Sequence, residues 1–571
     1  MNGLAKLKDF KGIEGTDFFE QDRGLETLLG ELLPAGEREP VFASLHECAR
    51  LVAGRWNELA REASRKENLP RIVKFDRAGN RAELVDLGEH TRQLRREAAE
   101  FGVLRGARSE LHKFAMVYFT AHNGEGSLNC GFSCTDGLVR AIEARGSEFL
   151  RKTYLPRILS VETPLAGAQF VTERDGGSDI GAIECEAKQN TDGTWSITGE
   201  KWFCSNPDEY FLVGARPPDA PTGTAGVAIF MVPRVLPDGQ LNKISFRRLK
   251  DKLGTQSLPT AEIDFEGATG WAIGEPSDGF KTLMNYVINT SRVHNAANAC
   301  GFLHRAFLEA RNYARQRDAF GGAIINYPLV QETLISLLER CWRHRVLTFK
   351  LVSMIDEHGL CPADAGQSMW QRFLINLAKY RTASTLTASL HDAIMILGAN
   401  GIVEDFSILP RLLRDAMIIE TWEGTHNTLC LQIARDATKS DLIDRWRAEV
   451  NATLSEWPRN FLSQTRARFD QTLRQTLDEL SPDRVADREW ASTHARRMVD
   501  RLGSLLELAW TARTALRSAP DDATPALLTV ASAHYLLPSL NVFDESGFSA
   551  TARHWAALID EDRVRVSPAD L

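Results

Sequence analysis

The chain is long, and its composition is that of an ordinary globular protein. It has 571 residues, of which 43% are hydrophobic and 25% charged, and its formal net charge is -8. This length exceeds what one hydrophobic core usually organises, so we expect three or four domains or subdomains. The sequence holds no run of about 18 apolar residues, which argues against a membrane-spanning helix, and its acidic balance disfavours general binding to nucleic acid or anionic membranes.

The N-terminus and the cysteines favour a cytoplasmic protein without a metal site. Residues 1–10 lack both the apolar segment of a secretory signal and the Arg-rich, acid-poor character of a transit peptide. Nine cysteines are scattered along the chain, and the closest pair, Cys130 and Cys134, is not followed by a second pair at zinc-binding spacing. We therefore expect reduced, mostly buried thiols.

Residues 1–163 are predicted to form an N-terminal helical domain. Apolar residues recur at three- and four-residue spacing in 41–48 and again in 137–142, as on one face of a helix. Between them, residues 75–80 have the composition of a turn.

Residues 164–276 are predicted to form a middle antiparallel β-domain. Short β-branched and aromatic runs now alternate with turn signals, and residues 191–193 are typical of a hairpin turn. The strands are expected at 167–171, 184–188, 195–200, 226–232 and 261–265. A β-domain embedded between helical regions indicates a mainly helical fold of the α+β class.

Helical periodicity returns after residue 277. We expect a C-terminal helical domain over residues 277–440 and an additional helical extension over 441–571. The extension contains slightly more Asp and Glu than Lys and Arg, so its net charge does not favour binding to DNA.

The loop at 172–179 joins two predicted strands through paired glycines flanked by hydroxyl side chains. Its backbone N–H groups, with Thr172 and Ser178, are able to face a polar ring edge or a phosphate, although such a loop is also common in plain hairpins. Further on, Trp202 and Phe203 are adjacent on a strand, where one ring is expected to pack inward while the other stacks on a planar cofactor. Core packing explains the pair equally well.

Residues 315–322 place basic residues, an aromatic ring and two glycines at a predicted helix end. Arg317 and Phe320 are candidates for holding a phosphate and an adenine. A glycine cap after basic residues is equally common where no ligand binds.

Glu423 is the candidate catalytic base, flanked by Trp422 and Gly424. A carboxylate among apolar groups loses hydration, which raises its pKa toward the range of a general base. The glycine lets the backbone approach a ligand, and its N–H or that of Glu423 is a candidate donor to an oxyanion. Taken alone, these residues fit a solvated helix end better.

These motifs occur in one fixed order between residues 100 and 440. They are 146–148 with 154–156, 172–179, 199–202, 250–257, 317–321, 396–401, 412–416 and 422–425. As an ordered set, they resemble the acyl-CoA dehydrogenase superfamily of FAD enzymes. The resemblance implies a helical N-terminal domain, a middle β-domain and a C-terminal four-helix domain, with FAD and an acyl-CoA substrate.

The resemblance also implies roles for individual residues. Glu423 is the base that removes a proton from the carbon beside the thioester carbonyl, and hydride then leaves the neighbouring carbon for the flavin. The implied cofactor contacts are Thr172, Ser178, Phe203, Ser205, Arg317, Phe320, Gly398, Gly401, Thr425 and Asn427. The implied substrate contacts are Ser178, Arg292, Trp422 and Gly424. Because Arg317 and Phe320 would reach the FAD of a neighbouring subunit, a homo-oligomer is implied, with a tetramer favoured over a dimer.

Within the superfamily, the chain is most similar to the AidB-type branch, whose members respond to DNA alkylation. The similarity lies in residues 70–81, 126–130 and 201–205 and in the C-terminal extension. The favoured hypothesis is an acyl-CoA dehydrogenase that passes electrons to an electron-transfer flavoprotein. The alternatives are a DNA-associated protective flavoprotein with weak dehydrogenase activity and a flavin mono-oxygenase or oxidase on the same fold.

Overall fold

The structure of the protein is a computed structural model, which describes residues 7–10, 12–518, 522–537 and 552–560. Much of the end of the predicted extension therefore lies outside the described residues. The chain divides into two compact units that interleave in sequence. The first comprises Met1–Gly54, Ser109–Asn123 and Asn295–Leu571, and the second comprises Arg55–Arg108 and Gly124–His294.

Helices make up most of the chain, as the sequence predicts. Those of the first half are α1 (Arg23–Leu32), α2 (Ala35–Ala53), α3 (Arg55–Ala63), α4 (Glu89–Phe101), α5 (Glu110–Thr120), α6 (Asn129–Arg145), α7 (Glu148–Thr153), α8 (Leu155–Ile158) and α9 (Gly279–Thr282). Those of the second half are α10 (Asn289–Gln316), α11 (Pro328–His358), α12 (Ala365–Ser384), α13 (Leu386–Leu397), α14 (Leu409–Thr421), α15 (His426–Ala437), α16 (Leu442–Glu456), α17 (Ser463–Glu479), α18 (Pro482–Ala486), α19 (Arg488–Arg517), α20 (Thr524–Leu536) and α21 (Trp555–Ile559). Among the described helices, none combines the length and the apolarity that crossing a bilayer requires.

The strands include every one that the sequence predicts. They are β1 (Arg71–Phe75), β2 (Arg81–Asp86), β3 (Gly167–Phe170), β4 (Glu186–Gln189), β5 (Trp195–Ser205), β6 (Tyr210–Ala215), β7 (Ala228–Pro233), β8 (Ile244–Leu249), β9 (Thr260–Ala272), β10 (Asp318–Ala319) and β11 (Gly322–Ala323). The predicted turn at 75–80 connects β1 to β2, so the N-terminal region contains a strand pair that helical periodicity did not reveal.

The second unit contains a mixed sheet in the order β3-β6-β7-β9-β5-β4, with β8 paired to β9. Most pairs are antiparallel, as expected, but β3 and β6 run parallel, with Gly167 opposite Tyr210. Parallel neighbours need a long crossover, and here β4 and β5 lie in the connection. The expectation of a wholly antiparallel domain is therefore wrong at this edge of the sheet.

The first unit contains the helices that carry the candidate base. Its core also includes buried charges: Glu507 of α19 accepts hydrogen bonds from Arg343 of α11 at 2.9 Å and from Arg381 of α12 at 2.9 Å. Because a buried carboxylate needs such partners, this network joins the predicted extension to the helical bundle.

Candidate active site

Glu423 lies in a sharp turn between α14 and α15. The Trp422 N–H donates to the Ile418 carbonyl at 3.0 Å and closes the last turn of α14. Glu423 then takes a φ of 57° and Gly424 a φ of 108°. A left-handed conformation at a non-glycine residue costs about 1–3 kcal/mol and persists only where its surroundings impose it. The half-buried base therefore sits on a strained main chain, as at many functional sites.

Buried side chains from two other helices hold this turn. Asn295 of α10 donates from Nδ2 to the carbonyl of Ile419 at 3.0 Å. Lys379 of α12 donates from Nζ to the carbonyls of Glu420 at 2.9 Å and Gly424 at 2.8 Å. The main chain is therefore anchored on both sides of the base.

The residues after the base begin α15 and contact the extension. Thr425 and Asn427 are exposed, and the Asn427 amide oxygen accepts a hydrogen bond from Arg496 of α19 at 2.6 Å. Burial lowers the pKa of His426, and the positive charge of Lys379 lowers it further. The His426 ring beside the turn therefore binds a proton less readily than a free imidazole.

Phe320 lies in a tight hairpin formed by β10 and β11, and Arg317 directly precedes β10, where its carbonyl accepts a hydrogen bond from the Ile324 N–H at 2.9 Å. Phe320 and Gly321 occupy the tip of the hairpin with φ values of 52° and 98°, as a type I′ turn requires. The Phe320 side chain is 98% exposed. The ring packs edge-on against that of Tyr327, with 6.4 Å between the ring centroids, and its exposure makes it a candidate for contact with a ligand.

Gly398 and Gly401 lie in a tight helical turn at Gly398–Ile402. A Cβ atom on Gly401 would lie 2.7 Å from the Ile394 carbonyl oxygen, so only glycine fits there. Asn400 donates to the Tyr313 hydroxyl at 3.2 Å. This contact ties the turn to the end of α10, from which the Arg317 hairpin emerges.

In the second unit, β5 presents Phe203 in a way that strand alternation did not predict. The register against β9 slips between Lys201 and Cys204, which forms a β-bulge. Lys201 and Cys204 are buried, whereas Phe203 is 55% exposed and Trp202 is half-buried. The expectation that one ring packs into the core is therefore wrong.

The two rings contact a lysine side chain and do not pack into the hydrophobic core. The Lys250 ammonium lies 3.5 Å from the centroid of the Trp202 ring and 4.6 Å from that of Phe203. This cation–π arrangement keeps the two rings beside each other at the surface of the unit.

The loop at 172–179 is fastened to β5. The Trp202 N–H donates to the Thr172 carbonyl at 2.9 Å, and the buried Lys201 ammonium lies 2.5 Å from a Glu173 carboxylate oxygen. Ser178 is exposed at the tip of the loop. The structure therefore brings Thr172 close to the strand that carries Phe203.

The remaining sequence-predicted residues of this unit are also held by polar contacts. The Ser205 hydroxyl lies 3.0 Å from that of Thr260 on the neighbouring strand. Arg292 is buried, and its neighbour Ser291 accepts a hydrogen bond from Gln169 of β3 at 2.7 Å. Arg292 is thus placed beside the strand that leads into the Thr172 loop.

Each unit contains side chains of the kinds that contact a flat aromatic dinucleotide. In the second unit, Phe203 exposes an aromatic ring, and Thr172 and Ser178 carry hydroxyls. In the first unit, Phe320 exposes an aromatic ring. Over the part of the chain that the structure describes, His, Cys, Asp and Glu side chains form no group suited to a metal ion.

The sequence analysis missed Lys379 and Asn295, which hold the base turn. Lys379 follows the apolar positions Leu374, Ile375, Leu377 and Ala378. A lone lysine in such a stretch is the signal that predicts a buried ammonium with specific partners. Its acceptors lie more than forty residues away in the chain and have no local signature.

Comparison with known proteins assigns both candidate regions to one family. Residues 277–438 match the acyl-CoA dehydrogenase C-terminal domain, and residues 168–268 match the acyl-CoA dehydrogenase middle domain. Acyl-CoA dehydrogenase family member 11 of Caenorhabditis elegans is 29% identical over 436 residues, which cover 73% of this chain and 70% of that protein. The putative acyl-CoA dehydrogenase AidB of Escherichia coli is 32% identical over 311 residues, which cover 54% of this chain and 55% of that protein.

Solved structures match over more of the chain. The apo form of Bd2924 covers 88% of this chain and 99% of its own at 29% identity, with a TM-score of 0.77. The Caenorhabditis elegans ACDH-11 structure in complex with C11-CoA covers 96% of each chain with a TM-score of 0.84, and at 24% identity it shows a shared fold. The architecture of these proteins therefore extends across nearly all of this chain.

Proposed function

The chain belongs to the acyl-CoA dehydrogenase superfamily of FAD oxidoreductases, and we propose that it introduces an α,β double bond into an acyl-CoA thioester. The observation that carries the proposal is the turn at Glu423. A half-buried carboxylate is held there by anchored main chain, beside backbone N–H groups. That arrangement joins a general base to an oxyanion donor.

Glu423 acts on the carbon next to the thioester carbonyl. Its carboxylate takes the α-proton, and the electron pair of that C–H bond moves toward the carbonyl to give an enolate. An α-proton of a thioester is too weakly acidic for a carboxylate unless the enolate oxygen is stabilised. The N–H of Glu423 is the donor that this chain supplies, with the N–H of Gly424 as the alternative.

The second half of the reaction removes hydride from the β-carbon. When bound, FAD supplies the acceptor for that hydride. Thr172, Ser178, Phe203 and Ser205 would hold the flavin of their own subunit. In a homo-oligomer, Arg317 and Phe320 would reach the FAD of the neighbouring subunit, and Gly398, Gly401, Thr425 and Asn427 would complete the cofactor contacts.

The substrate lies against Ser178, Arg292, Trp422 and Gly424. Trp422 is bulky and follows α14 directly, which favours a short, branched or otherwise unusual acyl group. We propose an electron-transfer flavoprotein as the electron acceptor.

The test is flavin reduction without oxygen. The FAD-loaded protein is mixed anaerobically with a panel of short, branched and long acyl-CoAs, among them the C11-CoA bound to the Caenorhabditis elegans structure. We expect at least one thioester to bleach the visible absorbance of the flavin. The matched free carboxylic acid is the control, and it should not bleach, because its α-proton is less acidic than that of a thioester.

The alternative is a DNA-associated protective role with weak dehydrogenation. Sequence likeness to the AidB protein supports it, whereas the acidic balance of residues 441–571 does not. Salt-sensitive retention of the protein on DNA, with no bleaching by any thioester, would favour this role over the dehydrogenase.

A further inference from the structure

The end of α14 is closed by side chains from elsewhere in the fold. The last carbonyls of any helix lack partners within that helix, and a glycine usually closes the turn that follows. Here Trp422 and Glu423 follow α14, so no glycine is available at that point. The carbonyls of Ile419 and Glu420 are taken by Asn295 and by Lys379.

Of these two partners, Lys379 costs more free energy to bury, because its side chain is charged. Its side chain is fully buried, and a buried ammonium is costly unless it is well hydrogen-bonded. It donates to Glu420 at 2.9 Å and to Gly424 at 2.8 Å, and a cation is favourable at the carboxyl end of a helix. Position 379 therefore holds a buried charge, although an apolar side chain would pack there without the free-energy cost of burying an ammonium group.

The two acceptors bracket the candidate base. Glu420 lies in the last turn of α14, which ends at Thr421, and Gly424 follows Glu423 directly. One ammonium thus joins the main chain on both sides of a residue whose φ is 57°. Without this link, the strained turn has a route to relax toward the ordinary right-handed region.

We propose that Lys379 is a positioning residue, which holds Glu423 in the orientation required for removal of the α-proton. The proposal rests on the proposed dehydrogenase function and deepens it. Lys379 acts through the main chain of the turn, without a contact to the thioester. A displacement of about 1 Å in a reacting group is enough to slow a reaction about a hundredfold, so release of the turn is expected to affect turnover strongly.

The experiment compares Lys379→Met with Lys350→Met. Lys350 is a second buried lysine of the same unit, bonded to Glu31 at 3.3 Å, so the control makes the same chemical change away from the turn. Two quantities are measured: backbone amide hydrogen exchange of residues 421–425, and the rate of flavin bleaching as a function of acyl-CoA concentration.

We expect Lys379→Met, but not Lys350→Met, to raise amide exchange in residues 421–425. The bleaching rate at saturating acyl-CoA should fall about ten- to a hundredfold, while the concentration for half-maximal rate and the FAD content stay unchanged. The proposal would be overturned if amide exchange in residues 421–425 were unchanged in Lys379→Met. It would also be overturned if the bleaching rate of this variant fell only in proportion to lost FAD. If Lys379→Met does not fold, Lys379→Gln carries the test, because its amide keeps a donor for one carbonyl and should give a smaller loss.

The two measurements separate the proposal from the function on which it rests. If no thioester of the panel bleaches the flavin of the unaltered protein, the proposed dehydrogenase function is wrong. The exchange comparison still decides whether Lys379 holds the turn.

Discussion

At the scale of single residues, the main-chain conformation limits which side chains the site accepts. Glu423 has a left-handed φ although it is not glycine, and the hydrogen bonds that Lys379 donates to Glu420 and Gly424 hold that turn. Gly401 shows the opposite case, since a Cβ atom would clash with the Ile394 carbonyl oxygen. Lack of space explains the glycine at position 401, whereas the proposed catalytic role would explain a glutamate in the strained turn at position 423.

Gly401→Ala is expected to lower both stability and FAD content. The added methyl group would lie 2.7 Å from a backbone oxygen, which has no side-chain freedom to move away. Overpacking of this kind costs about 1–3 kcal/mol. The measurements are the thermal unfolding midpoint and the FAD retained after gel filtration.

Gly36→Ala is the matched control, because an added Cβ there meets nothing within 4 Å. It should leave both quantities unchanged or raise the midpoint slightly. Equal behaviour of the two variants would contradict the packing argument at Gly401.

At the scale of elements, the β10–β11 hairpin presents its aromatic ring away from this chain's core. Phe320 contributes almost nothing to burial, and its turn requires a conformation that phenylalanine disfavours. Other apolar side chains of the same unit are also exposed, including Met395 at 64% and Ile402 at 69%. Exposed apolar side chains of this kind are what the proposed homo-oligomer would cover.

Phe320→Ala is expected to reduce FAD content and to weaken subunit association, with little effect on the stability of the isolated fold. The reason is that the ring is 98% exposed and has only an edge contact with Tyr327 among the described ring pairs, whereas under the proposed function it reaches the FAD of a neighbouring subunit. FAD content and sedimentation velocity are the measurements. Phe75→Ala, at a ring that is 63% exposed on β1, is the control, and a monomeric protein that holds FAD would contradict the role given to Phe320.

The elements differ in how well the sequence predicts them. The strands with clear turn signals are confirmed, including β3 and β9. The residues of β6 are all buried, so this strand lacks the alternation that marks a half-buried strand, and it was missed. The equally buried β7 was predicted from its β-branched and aromatic residues. The bulge at Phe203 and the parallel β3–β6 pair were missed because register depends on partner strands and not on local pattern.

The candidate site, like the strands, could be predicted only in part from the sequence. The motif around Glu423 is local and could be recognised in the sequence. The contacts of Lys379 and Asn295 depend on packing between distant helices, which a single sequence does not encode locally. The sequence therefore predicts a candidate catalytic residue, whereas the side chains that anchor its turn become visible only in the structure.

At the scale of the whole molecule, buried ionisable groups set how the first unit responds to acid. His344 of α11 is fully buried and lies 3.0 Å from the Thr385 hydroxyl. Burial lowers its pKa to about 3, and the neighbouring Arg343 charge contributes in the same direction. The folded protein therefore keeps His344 neutral where the unfolded chain, with a pKa of about 6.5, takes up a proton.

The His344→Gln variant is expected to lose less stability in acid than the unaltered protein. As the pH falls below about 6.5, the unfolded state binds the proton first, so His344 removes about 1.4 kcal/mol of stability per pH unit until the pH nears 3. At pH 5 the difference is about 2 kcal/mol. The thermal unfolding midpoint is measured from pH 7.5 to pH 5, in steps of about half a unit.

His391→Gln is the control, because His391 is exposed and its replacement should leave the pH dependence unchanged. An identical decline of the midpoint with falling pH in His344→Gln and in the unaltered protein would show that His344 does not control this response.

Glu423→Gln tests the central claim most directly, through anaerobic flavin bleaching by the best thioester of the panel. Glu420→Gln is the matched control: it makes the same change three residues earlier, at a carboxylate that accepts a hydrogen bond from the Thr387 N–H at 3.1 Å. Glu423→Gln should retain FAD and bleach at least about a thousandfold more slowly, since it lacks the general base, while Glu420→Gln should still bleach. Bleaching by Glu423→Gln at the rate of the unaltered protein would contradict the account.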